Sequence, residues 1–321
     1  MWMGADRLSW LSQEASLNKP MGQPVHPIQT DQPSQPDLSF SGAVGVFDSG
    51  VGGLSVLRSI RNLLPAIDLV YVADSLHAPY GEQSEAFIKE RTLSLGLALE
   101  RAGVKAIVVA CNTATVLAVK ALRAQTQLPV VAIEPAIKPA VLRTQSGVVG
   151  VLATTQTTQS QSVQRLCELY GANTKILLQP CPGLVEWVES GLNQSDEAHH
   201  LLSRYIEPLI DQGADTLVLG CTHYSYLKDL IQKIVGTGVE LIDPADAVAR
   251  ELERRLAIQP LGNKKDVDFN NCSSITKKDN IHSQSLAAMG SIRLFTTGNL
   301  FQAQVVMPRL WGEDIEIQKF N

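Results

Sequence analysis

Along the chain, short and nearly continuous apolar runs alternate with longer stretches in which apolar residues recur every three or four positions. The runs AVGVFD (43–48), LVYVAD (69–74), KAIVVA (105–110), PVVAI (129–133), GVVGVLA (147–153), DTLVLG (215–220) and VELID (239–243) predict strands buried on both faces. Helical periodicity fills the gaps between them, as in SEAFIKERTLSLGLALERAG (84–103) and ADAVARELERRLA (245–257). The alternation predicts an α/β fold of mainly parallel sheets covered by helices. A last strand–helix–strand (RLFTTG, FQAQVVMPRL, IEIQKF) closes the pattern.

Two stretches break it. Residues 1–42 repeat Pro20, Pro24, Pro27, Pro33 and Pro36 among Gln, Ser and Asp, and read as a flexible N-terminal extension. Residues 259–291 are polar and read as a surface insertion.

The chain also repeats itself. ERAGVKAIVVACNTA (100–114) aligns with IDQGADTLVLGCTHY (210–224), and VGVFDSG (44–50) with VGVLATT (149–155). In each copy a cysteine follows a helix-ending glycine by the same eight-residue step, from Gly103 to Cys111 and from Gly213 to Cys221. This predicts two similar doubly wound α/β domains. The first covers 43–140, completed by 244–321, and the second covers 141–243.

Composition narrows the function classes. At 321 residues and 45% hydrophobic content the chain can bury two cores. A net charge of −5 argues against nucleic-acid binding. No run approaches the ~20 apolar residues needed to span a bilayer. MWMGADRLSWLSQEASL lacks the apolar stretch of a secretory signal, and five cysteines form no tight framework. Reduced thiols, a cytoplasmic location, a small-molecule substrate and a homodimer are expected, with no nucleic acid or membrane as partner.

In open α/β sheets, ligands bind beyond the carboxyl ends of the strands. Four polar clusters fall there: Asp48-Ser49-Gly50, Asp74 through Pro79-Tyr80-Gly81, Cys111-Asn112-Thr113 and Cys221-Thr222-His223. Each cysteine is expected just before a helix N-terminus, where the dipole would lower its thiol pKa. Two thiols on facing halves suit racemisation of an amino acid. One removes the α-proton and the other returns a proton to the opposite face. Asp48 and His223 are the natural partners of the two thiols, although Asp48 also suits a plain helix cap.

Other readings compete. Gly50-Val51-Gly52-Gly53 after a strand, with Asp74 ending the next, imitates a dinucleotide fingerprint, but Ser55 replaces its third glycine. A metal module from Cys181, Cys221 and His223 lacks any CxxC pair. A thiol hydrolase needs only one of the two cysteines, and pyridoxal chemistry needs a lysine that these clusters lack. Cys167 and Cys181 read as structural, Asp74 as holding its own loop, and Trp187 with Glu186 and Glu189 as a solvated helix face, with a cleft role as the alternative.

FDSGVGGLSV (47–56), APYG (78–81), ACNTA (110–114) and GCTHY (220–224) resemble the signature segments of the glutamate racemase family, in its order. The resemblance runs from about Val44 to Ala257 and resumes at Arg293–Phe320. It implies two α/β domains with the active site in the cleft between them, and a C-terminal segment returning to the first. It also implies an isomerase that interconverts L- and D-glutamate without a cofactor or metal, supplying D-glutamate for peptidoglycan, cell-wall biogenesis and cell shape. Cys111 and Cys221 fall on the two proton donor/acceptors, Asp48 on the assisting acid and His223 on the assisting histidine. Asp48, Ser49, Tyr80, Gly81, Asn112, Thr113, Thr222 and His223 match substrate-binding positions. Cys111 is expected to act on the D-enantiomer and Cys221 on the L-enantiomer. An aspartate racemase of the same family is the nearest alternative, an NAD-dependent oxidoreductase a more distant one. The proline-rich lead and the polar insertion depart from the family pattern without touching a motif.

Overall fold

β1 (Val44–Asp48), β2 (Leu69–Ala73) and β3 (Ala106–Val109) are buried at every position, as expected for β-branched runs covered on both faces. In this computed structural model the described residues are 39–191, 196–258 and 289–320. The first half continues with α1 (Leu54–Leu63), α2 (Glu85–Arg101), α3 (Asn112–Arg123) and β4 (Val130–Ala132), and α4 (Ile137–Arg143) leads out of it. The second half comprises β5 (Val148–Ala153), α5 (Thr155–Gln159), α6 (Gln161–Tyr170), β6 (Lys175–Pro180), α7 (Leu184–Glu189), α8 (Asp196–Asp211), β7 (Thr216–Leu219), α9 (Lys228–Val235) and β8 (Glu240–Ile242). The chain then returns through α10 (Ala245–Ile258), β9 (Ile292–Thr296), α11 (Leu300–Trp311) and β10 (Ile317–Lys319).

All strand pairs among the described residues are parallel. The first sheet has the order β10-β9-β2-β1-β3-β4 and the second β6-β5-β7-β8. The second order reproduces the β2-β1-β3-β4 portion of the first, so the sequence repeat is a repeat of topology. In the first sheet α1 packs with α10 and α11, and α2 with α3; in the second α8 packs with α9, and α4 and α5 with α6. The architecture is two doubly wound α/β domains. An apolar cluster runs through both, from Val46 and Leu57 to Leu152, Val185 and Leu219. No described helix is long and apolar enough to cross a membrane.

Two features differ from the pattern reading. β6 (KILLQP) is a strand that the pattern missed: it is an exposed-to-half-buried edge, so its apolar run is only three residues long. Residues 39–42, counted with the lead, are tied to the first sheet. Phe40 is buried against Phe295, and its N–H donates to Ala102 O. The rest of the lead (1–38) and most of the insertion (259–288) lie outside the described residues.

Register sets up the site. β1 pairs Phe47 with Val109, which brings Ser49 beside Cys111 two residues further on. β5 pairs Leu152 with Leu219, and the same step brings Thr154 beside Cys221. Ser49 and Thr154 are therefore equivalent positions in the two copies.

Candidate active site

Cys111 caps α3. Its backbone is extended (φ −100°, ψ 121°), and Ala114 N–H donates to its Sγ at 3.5 Å, so the side chain occupies the capping position. Its thiol points to Ser49 Oγ, 3.6 Å away. Cys221, also extended, leads into a 3-10 turn (Thr222–Leu227) rather than an α-helix; α9 begins only at Lys228. The expected dipole at Cys221 is thus that of a short turn. Its Sγ lies 3.7 Å from His223 Nδ1.

Asp48 is fully buried and works in both directions. Oδ1 accepts from Ser49 N–H at 2.7 Å, and Oδ2 from Gly53 N–H at 2.5 Å, which caps the start of α1. Oδ2 also accepts from Thr222 Oγ1 at 3.0 Å, across from the other half. Burial raises its pKa, only partly offset by the charge of His223 and the bonds from Thr222, Ser49 and Cys111.

His223 is buried and carries a partner absent from the motif reading: its Nε2 lies 2.7 Å from Glu189 Oε1. The same carboxylate oxygen accepts from Val51 N–H in the first half, also at 2.7 Å. Burial disfavours the imidazolium, but hydrogen bonds and charges from Cys221 and Glu189 outweigh it and hold the His223 pKa well above its ordinary value. Of the two readings of Glu189, the cleft role is the one its contacts support. Its one sequence signal is a six-residue helix between Gly183 and Gly191, too short to be an ordinary amphipathic surface element.

Hydroxyls stitch the seam elsewhere. Thr113 Oγ1 of the first half lies 2.9 Å from Thr154 Oγ1 and 3.2 Å from Thr157 Oγ1 of the second. Neither Thr154 nor Thr157 was singled out in the sequence; the repeat that equates Thr154 with Ser49 was the available clue.

Ser49, Tyr80, Gly81, Cys111, Asn112, Thr113, Cys221, Thr222 and His223 all line one small cavity, with Thr154, Pro79 and Val185. Asp48 stands behind this lining, bonded to Ser49 and Thr222. The free volume is about 10 Å³, room for roughly one water, so a substrate with a side chain needs the two halves to part before it can enter. Both amide atoms of Asn112 are buried in the wall without a protein partner, an unspent donor and acceptor.

The electrostatics correct one expectation. The Cys111 thiol is not activated by its helix. Burial, and then the nearby Asp48 charge, push its pKa up and outweigh Ala114 N–H and Ser49. Its thiol is held protonated. Cys181 is buried, donates to Gln179 O at 3.3 Å and lies outside the cavity lining. Cys167 is half-buried against the core of the second sheet. The glycine-rich turn has no room for a pyrophosphate. A Cβ at Gly50 would collide with the Glu189 carboxylate, and one at Gly52 with His223 and Thr222.

Residues 44–252 match the family model described as Asp/Glu/Hydantoin racemase, a span that holds every cavity residue named above. The chain belongs to this racemase family. It is 50% identical over 282 residues to the glutamate racemase of Pseudomonas paraeruginosa, covering 88% of this chain and 98% of that protein. It is 46% identical over 278 residues to that of Ectopseudomonas mendocina, covering 86% and 97%. Among solved structures, Escherichia coli glutamate racemase in complex with L-glutamate and the activator UDP-MurNAc-Ala superposes with a TM-score of 0.71 at 33% identity, covering 87% of this chain and 97% of that one. The Francisella tularensis racemase in complex with D-glutamate gives 0.71 at 26%, covering 88% and 98%. Within a racemase, two buried cysteines at equivalent ends of repeated strands have a ready chemical meaning.

Proposed function

We propose that Cys111 and Cys221 are the two acid–base groups of a cofactor-independent racemisation, acting on opposite faces of one substrate carbon. The enzyme interconverts L- and D-glutamate, the reaction for which its relatives are named, and so provides D-glutamate for peptidoglycan. The observation that carries the two-thiol reading is that both cysteines, one from each repeat, line a single small cavity.

Removing an α-proton leaves two electrons on carbon, which delocalise into the α-carboxylate. Protonating the other face completes inversion. No electron leaves the substrate, so the step needs no redox partner. The two thiols differ at rest. Cys221 Sγ lies 3.7 Å from His223, whose pKa is held well above its ordinary value; Cys111 is held protonated by burial. In the L-to-D direction Cys221 is the base, His223 and Glu189 hold the charge beside it, and Cys111 is the donor. In reverse, Asp48 assists Cys111 and His223 returns the proton through Cys221. Asn112 and Thr113 at the start of α3, and the backbone N–H of Thr222, offer donors for the carboxylate that gathers charge. Tyr80 and Gly81 form the facing wall.

A cytoplasmic location is in keeping with four free cysteines among the described residues, and a homodimer is proposed with it. Ellipticity of L-glutamate incubated with the purified enzyme should decay to zero with no added cofactor. Loss of that decay on chelation would favour a metal mechanism instead.

A further inference from the structure

The loop that brings Tyr80 and Gly81 to the cavity is held from behind by one buried carboxylate. Asp74 follows β2 and is fully buried. It accepts from Tyr80 Oη at 2.6 Å, from Thr297 Oγ1 at 2.8 Å, and from Arg91 through Nε at 3.0 Å and Nη2 at 2.8 Å, while His77 Nδ1 lies 3.1 Å away. The Tyr80 phenol is therefore committed to Asp74. The adjoining backbone packs on the second half so closely that a Cβ at Gly81 would come within 2.7 Å of Thr154 Cβ.

Arg91, on α2, is outside the cavity lining. It is nonetheless the permanent charge on Asp74, presented as a two-pronged fork. Glutamate carries two carboxylates into this cleft. A buried Asp74 stripped of its cation would either repel them or take up a proton and loosen its hold on Tyr80.

We propose that Arg91 is a positioning residue for glutamate binding, acting through Asp74 on the 79–81 loop. The proposal rests on the glutamate reading above. Cys111 and Cys221 are held by β3, α3 and β7 rather than by this loop, so loss of Arg91 falls on substrate affinity and spares the proton transfers.

The test is steady-state kinetics of Arg91→Gln and Arg91→Lys with both enantiomers, beside the parent enzyme. Arg91→Gln should raise KM for L- and D-glutamate about tenfold while kcat stays within about threefold, and Arg91→Lys, which keeps the charge but loses the fork, should recover only part of the loss. A double-mutant cycle of Arg91→Lys with Tyr80→Phe should show non-additive effects on KM, since both act through Asp74. Unchanged KM in Arg91→Gln, a fall in kcat at unaltered KM, or additivity in the cycle overturns the proposal. If Arg91→Gln fails to fold, the cycle on the lysine variant decides. Failure of the glutamate reading shows separately, as a parent enzyme that does not racemise glutamate, and takes this proposal with it.

Discussion

Thr222 donates its hydroxyl proton to Asp48 at 3.0 Å although 174 residues separate them. One comes from the strand end of the second repeat and the other from that of the first, so the bond crosses the cleft. The residue beside one cysteine thus helps keep the carboxylate beside the other ionised against its burial.

Thr222→Val removes that donor and keeps the shape. A hydrogen bond to a buried charge contributes about 1.5–3 kcal/mol, so kcat/KM should fall roughly 10- to 100-fold, with Thr222→Ser recovering most of it. Both directions must fall together, because the enantiomers have equal free energies and the two kcat/KM values are tied. A Thr222→Val enzyme within twofold of the parent would remove Thr222 from the account.

Cys111→Ser and Cys221→Ser should each lose racemisation by about three orders of magnitude or more, since serine is a far weaker acid than cysteine. Any residual exchange of the α-hydrogen in D₂O should be confined to D-glutamate in Cys221→Ser and to L-glutamate in Cys111→Ser. Proton NMR of each enantiomer with each variant reads this directly. Exchange with the opposite pairing would reverse the assignment of faces.

The pH dependence follows from the two raised pKa values. Asp48 must be ionised to assist Cys111, and burial lifts its pKa, so the acidic limb of kcat/KM should lie above the ordinary carboxylate range. His223 must be protonated to face the Cys221 thiolate, and Cys221 and Glu189 lift its pKa against burial, so the alkaline limb lies well above the usual histidine value. Glu189→Gln removes one of the charges favouring the imidazolium. The alkaline limb should then move to lower pH, by about one unit for each 1.4 kcal/mol of charge interaction lost. A pH profile with an unmoved alkaline limb would detach Glu189 from His223 function.

Gly52 is one of the tight crossings of the cleft. An added methyl would meet the His223 ring and the Thr222 hydroxyl, so Gly52→Ala should hold the halves apart and lower kcat/KM about 100-fold, while leaving most of the thermal stability. Kinetics paired with a melting curve separates this from general unfolding.

Much of this was legible in the chain. Parallel strands buried on both faces write themselves as unbroken apolar runs, and the paired glycine-to-cysteine step exposed the repeat before any coordinates. What stayed hidden depends on burial and on partners distant in sequence. β6 has one half-buried face, so its pattern is weak. Glu189 looks like any helix-surface acid until the 3-10 turn at Thr222–Leu227 brings His223 against it. Arg91 reads as one charge among several on a long helix, and only the fold turns it towards Asp74. The raised Cys111 pKa is hidden from the sequence, which displays the helix dipole but not full desolvation beside Asp48.

The most direct test is early-conversion racemisation of L-glutamate in D₂O, with product and remaining substrate separated and weighed for deuterium. Two thiols on opposite faces predict D-glutamate carrying solvent deuterium at the α-carbon while the recovered L-glutamate stays unlabelled. D-glutamate that keeps the original hydrogen, or L-glutamate labelled as fast as its product, would mean one shuttling base and would contradict the roles given to Cys111 and Cys221.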